Sequence, residues 1–101
     1  MKSIAIDIDE AQIRAFCEKH RIRRMALFGS VLRDDFTPES DVDVLVEFEP
    51  EVRLGLIGLA GVENELGDTL GRKVDLNTED MLSKYFREEV LAEAETVYVQ
   101  L

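Results

Sequence analysis

Apolar residues recur at two different periods along this chain, and the first period is that of a helix. Residues 10–20 carry apolar side chains at helical spacing, and Asp9 precedes them as an expected N-cap. A short apolar run over residues 25–28 then predicts a strand. Gly29 and Ser30 follow this run and are typical of the point where a strand ends.

The clearest strand pattern covers residues 41–48, where every second residue is apolar. Asp41 and Asp43 fall between these apolar positions and therefore lie on the other face of the predicted strand. A second helical pattern runs over residues 54–70. Gly71 follows it, where a helix C-terminus favours glycine.

The last third of the chain predicts three more elements. Residues 73–77 form a strand pattern, and Thr78 is the expected N-cap of a helix over residues 79–95. Residues 97–99 suggest a final short strand. Helices and strands thus alternate, which favours one α/β domain over residues 1–101, with helices packed on a small mixed sheet.

Composition narrows the classes of function that this fold can serve. The 101 residues are 46% hydrophobic and 34% charged, with a formal charge of -10 and a pI near 4.5. Such an acidic chain is a poor general nucleic-acid binder, because that binding depends on neutralising phosphates. It can still bind a nucleotide through a divalent cation, or pair with a basic protein. No apolar run approaches the ~20 residues of a membrane span, and Cys17 is the only cysteine, so we expect a cytoplasmic protein.

Gly29 and Ser30 are candidates for phosphate binding. A strand that ends in Gly-Ser before a helical turn directs backbone N–H groups at whatever lies above the strand. Glycine also allows a ligand to approach the backbone closely. The alternative is a plain strand-ending turn in which Ser30 caps the next helical turn.

Three aspartates are candidates for metal binding. Asp41 and Asp43 are two residues apart on a strand, so both carboxylates project from one face and can share a magnesium ion. Asp75 lies between two apolar residues and joins them if its strand is adjacent. Three carboxylates at one place repel each other without a cation, whereas separately each is an ordinary solvent-facing aspartate.

These residues resemble the signature of a known superfamily. Gly29-Ser30, ten residues, and then Asp41-x-Asp43 match the DNA polymerase β-like nucleotidyltransferases. The segments 27–33, 40–48 and 71–76 are similar to the minimal nucleotidyltransferase (MNT) family, and the resemblance extends from about residue 10 to the C-terminus. It implies the polymerase β-like nucleotidyltransferase fold.

The resemblance also implies roles for individual residues. Gly29, Ser30 and Arg33 would bind the triphosphate of ATP, and Asp41 and Asp43 would bind Mg²⁺. Asp75 would be the third metal-binding and catalytic carboxylate, beside the acceptor hydroxyl.

The chain departs from the family pattern at one position. Asp34 stands where many members have glycine, and its negative charge is expected to weaken triphosphate binding.

MNT proteins are typically antitoxins encoded beside a HEPN-family ribonuclease toxin. The resemblance therefore implies transfer of AMP from ATP to a tyrosine of that toxin. A non-catalytic antitoxin that covers its toxin is the alternative, and a small-molecule nucleotidyltransferase is disfavoured because the chain has no room for a substrate domain. Leu54, Leu56 and Leu59 are expected to contribute to a surface that docks the toxin, and Arg72 or Lys73 could lie near the nucleotide.

Overall fold

The chain folds into helices packed on a four-stranded mixed sheet, in a computed structural model that describes residues 6–33 and 36–100. Asp34 lies outside these residues. The described part contains, in chain order, α1 (Glu10–His20), β1 (Ile22–Phe28), a 3₁₀ helix (Gly29–Leu32), β2 (Val42–Phe48), α2 (Leu56–Leu70), β3 (Val74–Asn77), a second 3₁₀ helix (Glu79–Met81), α3 (Arg87–Glu93) and β4 (Glu95–Val99).

The strands are ordered β3-β2-β1-β4 across the sheet. β1 is antiparallel to both of its neighbours, β2 and β4, while β2 and β3 are parallel. This mixed sheet confirms the fold class that the sequence predicts. The parallel pair matters for the site, because β2 and β3 both begin at the edge of the sheet where β1 ends.

One face of the sheet, here called the core face, is covered by α1 and α2. Leu27 and Val44 of the sheet and Ile13 and Leu66 of the helices are at most 1% exposed. Cys17 is also fully buried there, and burial raises the pKa of its thiol to about 12, so it is an inert core residue as expected.

The ends of α1 combine one expected contact with one unexpected conformation. Asp9 caps the helix, since its carboxylate accepts the N–H groups of Ala11 and Gln12 at 3.0 and 3.2 Å. Arg21 ends it in the left-handed conformation, at φ 58°. β1 therefore starts at Ile22, three residues earlier than the apolar run predicts.

The predicted helix over residues 79–95 is wrong. The chain forms only a 3₁₀ turn at Glu79–Met81 and the short helix α3. Ser83 explains the interruption, because its hydroxyl accepts the N–H of Tyr85 at 3.3 Å and offers the backbone a turn in place of a helix. The guanidinium of Arg87 then donates to the carbonyl of Leu82 at 3.1 Å.

Two acidic side chains of α2 tie this helix to its neighbours. Glu63 Oε2 accepts the backbone N–H of Leu76, on β3, at 2.8 Å. Glu65 contacts His20 at 2.7 Å and Lys19 at 3.0 Å, which joins α2 to the end of α1 and lowers the pKa of Glu65 mainly through the bond with His20. In the part of the chain that is described, no helix is long and apolar enough to span a bilayer.

Candidate active site

The turn after β1 forms one wall of the candidate site. Gly29 has φ +76°, in the left-handed region that favours glycine. A Cβ placed there would lie only 2.2 Å from Asp43 Oδ2, so the carboxylate packs directly against the glycine. Ser30 follows in the 3₁₀ helix, and its carbonyl accepts the N–H of Arg33 at 2.9 Å. Position 29 therefore favours glycine for two reasons: its left-handed backbone conformation and the lack of space for a side chain beside Asp43.

Two aspartates lie side by side on the parallel strands. Asp43 of β2 is in register with Asp75 of β3, and also with Phe28 of β1. Residues in register on adjacent strands project from the same face, so both carboxylates leave the sheet on the face opposite the core face. We call this second side the site face. The predicted convergence of Asp43 and Asp75 is therefore present.

Charge and burial at Asp43 show how closely these groups interact. Asp43 is half-buried, and burial is the main reason that its pKa is raised above the usual range. The negative charges of Asp75 and then of Asp41 raise it further, and the positive charge of Arg33 opposes them. Three other predicted site residues thus lie close enough to act on the charge of Asp43, and the carboxylates around it outnumber the cation.

Two cations border the carboxylates. Lys73 precedes β3, and its Nζ lies 3.9 Å from Asp41 Oδ2 while the side chain remains largely exposed. Arg33 points to α3, where its guanidinium contacts Glu93 at 3.2 Å. The sequence suggests Arg72 and Lys73 as basic residues that could lie near the nucleotide, and of these Lys73 lies at the site. Arg72 instead stacks on another loop, over the ring of Phe36 at 4.4 Å.

The residues of the site fit a magnesium ion that arrives with a nucleotide. The burial and repulsion that raise the pKa of Asp43 are what a bound cation would relieve. Within residues 6–33 and 36–100, no group of three or more His, Cys, Asp or Glu side chains is close enough to hold a metal by itself. Magnesium is commonly held by one or two carboxylates together with phosphate oxygens and water, and Asp41 and Asp43 supply that number.

Sequence reasoning missed two contacts at this site. Lys73 stands beside Asp75 in a strand pattern, which does not reveal that its ammonium reaches Asp41. Glu93 lies 60 residues from Arg33 along the chain, and only the return of α3 over the site face brings them together. The sequence carries no short-range signal for either contact.

Comparison with known proteins identifies the family of this chain. The nucleotidyltransferase domain family matches residues 10–97. The protein adenylyltransferase MntA of Thermococcus cleftensis is 37% identical over 82 residues, which cover 81% of this chain and 79% of that protein.

Three solved structures share the fold. A toxin–antitoxin crystal structure with AMP-PNP superposes with a TM-score of 0.74 at 20% identity, covering 92% of this chain and 75% of that one. The complex of a tri-AMPylated Shewanella oneidensis HEPN toxin with its MNT antitoxin gives a TM-score of 0.65 at 20% identity, covering 90% and 70%. A solved minimal nucleotidyltransferase is 35% identical, superposes with a TM-score of 0.65 and covers 87% of this chain and 95% of that one. With Gly29 against Asp43, and Asp43 beside Asp75, these matches show that the chain belongs to the nucleotidyltransferase domain family and, within it, to the minimal nucleotidyltransferases.

Proposed function

We propose that this chain is the antitoxin of a HEPN/MNT pair and that it neutralises its toxin by transferring AMP from ATP to a toxin tyrosine. The observation that carries the proposal is the position of Asp43, which lies against Gly29 on one side and in register with Asp75 on the other. A purely structural sheet has no need to place carboxylates so that they repel. The names of the similar proteins support the same activity.

Each residue of the site has a separate task in this reaction. Gly29 and Ser30 bind the triphosphate through the turn after β1, and Arg33 adds a positive charge. Asp41 and Asp43 would hold Mg²⁺, which when bound neutralises the phosphates and the leaving group. These side chains keep the α-phosphorus beside the carboxylates of the site face.

Asp75 is placed to act on the acceptor. Its carboxylate lies beside that of Asp43 and is exposed to an approaching protein. We assign it the task of accepting a hydrogen bond from the tyrosine hydroxyl and so orienting the oxygen for attack. The new bond joins that oxygen to the α-phosphorus, the bond from the α-phosphorus to the bridging oxygen breaks, and pyrophosphate leaves. The phenolic proton passes to the Asp75 carboxylate and then to water.

A docking surface apart from the carboxylates is part of this proposal. Leu56 and Ile57, at the start of α2, are 84% and 92% exposed, and Leu54 before them is 44% exposed. Leu59 is partly buried against the core, so it contributes less than expected. Exposed apolar residues in such a group are typical of a protein interface. They also keep the alternative function open, in which the antitoxin acts by covering the toxin alone.

One experiment separates the two functions. Asp41→Asn and Asp43→Asn together keep the shape of the site and remove two metal-binding charges. We expect the double variant to bind the toxin, fail to add AMP to it and fail to protect cells. Cell rescue and the intact mass of the recovered toxin measure this. Full rescue, with no AMP on the toxin recovered from wild-type cells, would sink the enzymatic function.

A matched control tests whether the loss is specific to the site. Asp7→Asn and Asp68→Asn remove the same number of charges from two other exposed positions. This control is expected to rescue cells and to modify the toxin as the wild type does.

A further inference from the structure

A groove continues along the site face below the three aspartates. Its volume is about 290 Å³. Phe28 pairs with Asp43 at the site, and the next pair on this face of β1 and β2 is Ala26 with Leu45, which forms the floor of the groove. Successive rows on one face of a sheet are separated by about 7 Å. The groove therefore begins one row from the catalytic carboxylates.

The sequence makes this groove by placing a small side chain on a central strand. Ala26 lies between Leu45 on one neighbouring strand and Thr96 on the other, so the floor is lowest at Ala26. Leu91 of α3 forms one wall, and Thr78 after β3 contributes to the other. An apolar cavity of about 150 Å³ is enough to hold a benzene ring. One aromatic side chain therefore fits, with room for its neighbours at the mouth.

The charge at the mouth of the groove discriminates between possible occupants. Glu79 and Asp80 line it and are exposed, and Glu47 lines it while paired with Arg23 at 3.4 Å. Arg24 also lines it and donates to the Thr96 hydroxyl at 3.0 Å; its positive charge remains, and the carboxylates outnumber it. A rim of this charge repels phosphate and attracts a cationic chain. It is complementary to a basic peptide.

We propose that this groove binds the acceptor segment of the partner, a stretch in which arginine or lysine flanks the modified tyrosine. The tyrosine ring lies between Leu91 and Thr78, above the buried floor of Ala26 and Leu45, and its hydroxyl extends one row towards Asp75. The flanking cations pair with Glu79 and Asp80. This proposal rests on the proposed function, since it identifies where the acceptor of that reaction is bound.

Reversing the rim charge tests the proposal without disturbing the core. Glu79→Lys with Asp80→Lys changes two exposed residues, and Glu18→Lys with Asp68→Lys makes the same change in net charge on the helices of the core face. We expect the rim variant to raise the KM for the HEPN partner about tenfold and to flatten its salt dependence. The KM for ATP and kcat should stay within about twofold of wild type, and the control should match wild type for every constant.

A second measurement does not depend on transfer. Two synthetic peptides, each with one tyrosine, are titrated into the protein by calorimetry, one with flanking arginines and one with flanking glutamates. The wild type is expected to bind the arginine peptide and not the glutamate peptide, and the rim variant is expected to lose that preference.

The outcomes separate the two proposals. Wild-type protein that adds no AMP to its partner contradicts the proposed function, while the peptide preference still decides whether the groove binds a basic segment. A raised KM for ATP with an unchanged KM for the partner would show that the groove holds the nucleoside instead. Equal behaviour of rim variant and wild type in both assays would overturn the inference.

Discussion

The two faces of the sheet have opposite characters. The core face is covered by two helices of 11 and 15 residues, and its apolar side chains, such as Leu27 and Val44, are essentially inaccessible. The site face is covered by α3, a helix of seven residues without a single buried side chain. It carries Asp43 and Asp75 in adjacent positions. Most of the buried apolar side chains therefore lie on one face, whereas the other face adds Ala26 and Leu45 beneath its repelling charges and its groove.

The largest expected effect is at Asp43, where one substitution should lower activity and raise stability. Asp43→Asn removes a metal-binding charge, and we expect the rate of AMP transfer to fall more than about a hundredfold. The same change should increase the free energy of unfolding at neutral pH by less than about 1 kcal/mol, because it removes a repulsion that solvent partly screens at this half-buried side chain. Initial rates and urea denaturation measure the two effects. A less stable variant would contradict the division between the faces.

The pH dependence of that stability gain has a defined sign. Because the pKa of Asp43 is raised in the fold, the folded protein binds this proton more tightly than the unfolded chain does. The wild type therefore loses stability as pH rises through the folded pKa, and the full loss is present above it. Urea denaturation from neutral to acidic pH should show the gain of Asp43→Asn shrinking as pH falls. A gain that grows towards acid would contradict the raised pKa.

A cavity in the core face should lower the stability of the protein. Leu66 is fully buried, and Leu66→Ala is expected to cost about 2–5 kcal/mol of stability. Leu91→Ala, on the partly buried side of α3, serves as the comparison and should cost less than about 1 kcal/mol. Denaturant titration checks both. Similar losses at the two positions would mean that the faces share the stability more evenly than their burial indicates.

A substitution at Gly29 should affect both stability and ATP binding. Gly29→Ala adds a methyl group to a left-handed residue and forces it towards Asp43, so the turn or the carboxylate must move. We expect a stability loss of about 1–3 kcal/mol and a clear loss of ATP affinity. Calorimetric ATP titration in magnesium, beside thermal unfolding, measures this. Unchanged ATP affinity would remove the turn from the binding site.

The smallest expected effect concerns Arg33. The Arg33 side chain is 56% exposed in its pair with Glu93, so Arg33→Ala should change stability by less than about 1 kcal/mol. ATP affinity should still weaken, because the charge that opposes the carboxylates is lost. Arg53→Ala is the matched control, since Arg53 is exposed and donates to the nearby backbone carbonyls of Pro50 and Val52. Equal ATP affinity in the two variants would argue against a nucleotide-binding role for Arg33.

Much of the fold follows from local signals in the sequence. The helix over residues 10–20 and the strand at Val42–Phe48 have regular apolar periods, and Gly71 ends α2 in the left-handed conformation as expected. The prediction of one helix over residues 79–95 is wrong because a helical apolar period does not show that Ser83 turns the backbone. Arg23 and Arg24 belong to β1, although the apolar run predicts a strand that begins only at residue 25. Local pattern is a weak guide where a side-chain bond or a sheet partner determines the backbone.

The candidate site also combines features that local sequence predicts with features that depend on tertiary packing. The two-residue spacing of Asp41 and Asp43 is sufficient to predict that their carboxylates share a face, and the apolar neighbours of Asp75 predict that it faces away from the core. The order of the strands, which puts Asp75 in register with Asp43, depends on pairing between distant segments. The side of the sheet that α3 covers is likewise set by tertiary packing, so the contact of Arg33 with Glu93 could not be predicted.

The bond from Glu63 to Leu76 has a consequence for how other proteins can approach this sheet. β3 is an outer strand, and its unpaired amides are a ready template for another strand to extend the sheet. The carboxylate of Glu63 occupies one of these amides. It thereby disfavours strand addition and fibril-like self-association beside Asp75. A partner would therefore approach across the site face. Glu63→Ala would leave the Leu76 amide free to pair with a strand of another molecule.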